Sequence, residues 1–62
     1  MSENADVIKN AINVASHKMP GWKLISATII SEQNKSVSVK FSSEKLEKVV
    51  IVVNGIISGL HS

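Results

Sequence analysis

The chain reads as a small α+β domain in the order helix, hairpin, helix (αββα). Three observations point there. Residues 4–19 carry an apolar face with helical period, 22–31 and 36–41 are strand-like runs around a polar tip, and 43–60 carry a second helical face. With 62 residues there is room for one domain and one core. A chain of this size buries only about 60% of its unfolded surface.

In the first segment, NADVIKNAINVASHKM, residues Val7, Ile8, Ala11, Ile12, Val14, Ala15 and Met19 fall on one half of a helical wheel. Asp6, Lys9, Asn10, Asn13, Ser16 and His17 fill the other half. Ser2 or Asn4 is suited to cap the helix, with Glu3 or Asp6 near the positive end of its dipole and Lys18 near the negative end. Pro20-Gly21 stops it.

The hairpin follows as WKLISATIIS and SVSVKF around EQNK. Val37, Val39 and Phe41 share one face of the second strand, opposite Ser36, Ser38 and Lys40. The first strand is apolar on both faces, so register decides which set joins the core. An odd tip places Ile29 opposite Val39 and Ala27 opposite Phe41, and it groups Ser26 and Thr28 with the other polar residues. A four-residue tip places Ile30 opposite Val37 instead. The odd tip is preferred, and it leaves Trp22, Leu24 and Ile30 on the outward side.

The last stretch, KVVIVVNGIISGL, admits two readings. β-branched residues and the Asn54-Gly55 pair favour a hairpin with a type I′ turn. A helix is favoured by Leu46, Val49, Val50, Val53, Ile56, Ile57 and Leu60, which fill one face without a gap. Phe41 and Leu46 also have the spacing of a hydrophobic staple about a Ser42 cap, with Glu44 in the first turn. The complete face selects the helix, with Leu46, Val49, Val50, Val53, Ile57 and Leu60 as core.

Composition narrows the function classes. No cysteine is present, which excludes disulfides and thiolate metal sites and suits a reducing cytoplasm. The N-terminus lacks the charged and apolar regions of a secretory signal. The longest apolar run, Val49 to Val53, is far short of the roughly 20 residues that span a membrane. The net charge of +2 comes from lysines alone, without the arginines that favour base and phosphate readout.

Chemistry-bearing residues are sparse. His17 and His61 have no second ligand at helical spacing, so no metal or cofactor site is expected. The acids Glu3, Asp6, Glu32, Glu44 and Glu47 lie in no apolar setting that would prepare one for general acid work. Ser42-Ser43-Glu44-Lys45 matches Ser-x-x-Lys, and a capping serine accounts for it. No catalytic residue is assigned and the chain is read as non-enzymatic.

What remains is surplus apolar surface, 44% of the residues being hydrophobic. Trp22, Leu24 and Ile30 form a stripe on the uncovered side of the hairpin, and contiguous exposed apolar surface marks interaction sites. On the last helix Ile51 and Val52 exceed what one small core needs, and Gly55 and Gly59 lie four apart, allowing close backbone approach. The expectation is a cytoplasmic protein–protein interaction module that self-associates as a homodimer. An alternative uses Lys23, Lys35 and Lys40 of the hairpin against nucleic-acid phosphates in a salt-dependent way.

Strand-turn-strand followed by VKFSSEKLEKVV resembles the small αββα head-to-tail joining proteins of lambda-type tailed phages, which share a basic hairpin and a final helix behind a Ser/Thr-rich cap. The chain lacks the basic C-terminal tail of that family. The resemblance implies a virion adaptor of a phage or mobile element that assembles with other particle proteins.

Overall fold

The computed structural model of the chain describes residues 3–61. Ser2, considered above as a cap, lies outside them, and the side chains of Glu3 and His61 are likewise not described. One helix, α1 (Glu3–Lys18), is followed by β1 (Lys23–Ser31), β2 (Ser36–Ser43), β3 (Leu46–Val53) and β4 (Ile56–His61). The strands form one antiparallel sheet in the order β1-β2-β3-β4, and α1 lies across it in contact with all four.

α1 ends where Pro20 and Gly21 form a tight turn. Gly21 adopts φ 84° and the Trp22 N–H donates to the Met19 carbonyl at 3.2 Å. Pro at the second position and a positive-φ glycine at the third are the requirements of a type II turn. The turn sends the chain back under the helix as β1. Ala11 and Ala15 of α1 are buried, as is Met19 just past its end, and the two alanines let α1 sit close to the sheet.

The sheet's contribution to the core is Val37, Val39 and Phe41 from β2 and Val50 and Val52 from β3. Ala27, Ile29 and Ile57 pack against them from the flanking strands. The β1–β2 pairs are Leu24 with Phe41, Ala27 with Val39 and Ile29 with Val37. Ile29 and Ala27 therefore face the core, but each is two positions from the partner expected for an odd tip. Ser31 pairs with Ser36, so the connection is the four residues Glu32–Lys35. A loop of that length alone would bring Ile30 to the core. Instead the ladder shifts at Ile30, and one extra residue on β1 restores the face.

The final helix expected over 43–60 is replaced by the β3–β4 hairpin. Asn54 and Gly55 both take positive φ, 51° and 81°, as a type I′ turn requires. Ser42 and Ser43 extend β2 rather than cap a helix, and Glu44-Lys45 is the turn into β3. Phe41 is 1% exposed and Leu46 63%, so the two form no staple. The helical period was a coincidence of a strand apolar on both faces. In β3, Val50 and Val52 face α1 while Val49, Ile51 and Val53 lie on the opposite side, and that removes the alternation by which a strand is recognised. Leu60, assigned to the core on the helical reading, is largely exposed on β4. The order is αββββ, not αββα, and the likeness to phage joining proteins loses the final helix on which it rested.

Candidate interaction surface

The helix covers one face of the sheet and no element among the described residues covers the other. Register places its side chains in rows. Thr28, Ser38, Ile51 and Gly59 line up across the four strands, and Ser31, Ser36, Val53 and Ile56 form the row beside them. The next row on the other side runs through Ser26, Lys40 and Val49. The β1–β2 half of this face is polar, whereas the β3–β4 half is aliphatic. Its central column is Val49, Ile51 and Val53, each half-buried by neighbours within the sheet. Ile56, beside Val53, is 71% exposed.

Two features shape this surface. Ile51 stands between Ser38 on β2 and Gly59 on β4, a branched side chain with a small neighbour on each side. Both edges of the sheet are irregular as well. β1 has ladder shifts at Ile25 and Ile30, and β4 has one at Ser58, between the pairs Ile51–Gly59 and Val52–Ile57. Such bulges twist an edge away from flat pairing.

The residues singled out from sequence are scattered over this frame. Trp22 is half-buried and packs on the core, with Lys48 Nζ 5.8 Å from its ring centroid. Leu24 pairs with Phe41, on the helix side of the sheet, because the Ile25 bulge reverses the alternation after it. Ile30, 57% exposed, sits at the second bulge near the far end of β1. These three do not form one stripe. Val52 is fully buried under α1, and Gly55 serves the hairpin turn rather than a helix contact. Ile51 and Gly59 do come together, as cross-strand neighbours on the bare face.

Sequence reasoning missed Val49, Val53 and Ile56 as members of this face. The signal was present in β3, where apolar residues occupy both parities from Val49 to Val53.

The lysines do not converge. Lys23 begins β1 opposite Ser42, while Lys35 lies in the turn at the other end of the hairpin. Lys40 lies on the bare face with Nζ 3.8 Å from Glu47 Oε1, a solvated pair worth at most about 1 kcal/mol. The His17 Nδ1 is engaged at 2.7 Å with the Asn13 carbonyl of its own helix. A recess of about 220 Å³ between α1 and the turns is lined by Asp6, Asn10, Lys35, Asn54 and Gly55 among others. Among the described residues no three His, Asp or Glu side chains group as metal ligands. No helix there is long and apolar enough to cross a membrane.

No family model, curated protein or solved structure matches the chain. Its surface chemistry therefore carries the functional argument alone.

Proposed function

We propose that the protein is a small non-enzymatic interaction module of the cytoplasm that associates with copies of itself, as a dimer, through apolar surface outside its core. The observation that supports this is the bare sheet face with Val49, Ile51, Val53 and Ile56 on its aliphatic half. Among the described residues the core on the opposite face comprises eight buried hydrophobic residues, of which Ala11 and Ala15 come from the helix and Met19 from just beyond its end. A single core of this size supplies roughly 3–5 kcal/mol of net stability, and small domains commonly gain the remainder by association. The absence of cysteine suits a reducing compartment.

Sedimentation equilibrium across the micromolar range tests the reading. The expected result is a mass above the 6.7 kDa protomer that falls on dilution. A protomer at every concentration, binding no apolar dye, would end it. The nucleic-acid reading has less support, because Lys23, Lys35 and Lys40 occupy two ends and one face of the hairpin and do not form a single phosphate-binding track.

A further inference from the structure

We propose that Asn54-Gly55 is a self-modification site, at which the Gly55 main-chain nitrogen closes on the Asn54 side-chain amide. The folded turn blocks this reaction until the β3–β4 hairpin opens. The inference concerns the turn alone and holds for a single protomer as for an assembly.

The chain has five asparagines, and only Asn54 precedes a glycine. Asn4 and Asn10 precede alanine, Asn13 valine and Asn34 lysine, whose side chains crowd the attacking nitrogen. At Gly55 no Cβ stands in the way. Asn54 is exposed, and among the described residues no hydrogen bond holds its side-chain amide or the Gly55 N–H.

The step balances without a cofactor. The Gly55 nitrogen bonds to Asn54 Cγ and gives up its proton, while the Cγ–Nδ2 bond breaks and ammonia leaves. The product is a five-membered cyclic imide, which water opens at either carbonyl. Attack at Cγ yields aspartate. Attack at the main-chain carbonyl yields isoaspartate, in which the backbone runs through the former side chain.

Conformation decides when the ring can close. Closure requires the Gly55 nitrogen to lie on the same side of the Asn54 Cα–C bond as Cβ. A type I′ turn, which Asn54 enters with φ 51°, carries ψ of about 30° there. In an L residue that ψ turns the nitrogen nearly opposite to Cβ, so the folded turn holds the reacting groups apart. Flipping the Asn54–Gly55 peptide to type II′ would align them, but type II′ reserves that first central position for glycine. The turn is held by the pairing of Val53 with Ile56, by the Asn54 N–H donating to the Lys35 carbonyl at 3.0 Å, and by the Asn10 side chain of α1 beside Gly55. Reaction therefore waits on a local opening of this end of the sheet. The modification records that opening irreversibly, because isoaspartate lengthens the main chain and cannot rebuild a two-residue turn. Its new carboxylate enters the recess lined by both Asp6 and Lys35, so the added charge meets one like and one unlike neighbour.

The test incubates the intact chain at one pH and temperature, folded in buffer and unfolded in guanidinium, and follows each asparagine by peptide mass mapping. Conversion at Asn54 is expected to be at least tenfold slower in the folded chain, with both aspartate and isoaspartate formed. In guanidinium, where folding plays no part, Gly55→Ala should slow it several-fold. The isoaspartate form, separated by ion exchange, should unfold at a lower denaturant midpoint than the native chain, whereas Asn54→Asp, which adds the charge alone, should stay near it. Equal rates in folded and unfolded chains would overturn the blocking turn. Aspartate as the sole product, or an undiminished rate in unfolded Gly55→Ala, would overturn the ring. No conversion in guanidinium, or conversion led by another asparagine, would overturn the site. An isoaspartate form as stable as the native chain would overturn the irreversible loss of the turn.

Discussion

Gly55 is the residue whose replacement reports most directly on the turn that decides the fold. Its φ of 81° lies where an L side chain costs roughly 1–2 kcal/mol. A Cβ added there would also meet Asn10 Nδ2 of α1 at 3.0 Å. Gly55→Ala should therefore lower unfolding stability by about 1–2 kcal/mol, read as a shifted urea midpoint. Combining it with Asn10→Ala should recover only the contact, because the backbone strain remains. Full recovery would locate the cost in packing against the helix. Here a turn glycine also fixes how closely α1 approaches the end of the sheet.

At the scale of elements, the three sheet connections solve one problem by different means. The Asn54-Gly55 turn uses residues that tolerate positive φ. The β1–β2 connection places Lys35 at φ 55° and ties its carbonyl to the Asn54 N–H at 3.0 Å, joining the two turns at that end of the sheet. Glu32 of the same connection accepts from the Asn4 side chain, which anchors the start of α1. The Glu44-Lys45 turn has no such adaptation, with Glu44 held at φ 58°. Glu44→Gly should relieve that conformation and stabilise the chain by up to about 1 kcal/mol, with the gain appearing in thermal and chemical denaturation. A loss of stability instead would mean that the carboxylate contributes more than the backbone strain costs.

For the whole molecule, two layers leave one face of the sheet in water, and antiparallel sheets accept that arrangement readily when the outer face is polar. Here only half of it is. If a second copy covers the aliphatic half, folding and association are linked, and thermal stability must depend on protein concentration. The native chain should melt at a higher temperature as its concentration is raised from the low to the high micromolar range. Ile51→Asp should lose that dependence while still unfolding cooperatively. A midpoint independent of concentration over that range would count against a folded dimer.

Much of the chain was legible as sequence for definite physical reasons. The amphipathic face and the Pro20-Gly21 stop mark α1, and the alternation of Val37, Val39 and Phe41 against Ser36, Ser38 and Lys40 marks β2 and its buried side. Those signals hold because each element buries one face only. They fail where both faces are apolar. In β3 a helix and a strand make equal sense of the residues, and the choice falls to partners distant in sequence: Val50 against Val39 on one side and Leu60 on the other. Register was undecidable for a related reason. Loop length alone would have turned Ile30 inward, and the compensating bulge exists only because Ile29 packs into the core that α1 completes. Which residues remain uncovered follows from that tertiary choice. The sequence by itself determined the helix, the first hairpin and the excess of aliphatic side chains. Only the packed sheet decided that Val52 belongs inside and that Ile51, its neighbour, stands on the bare face, because adjacent strand residues point to opposite sides.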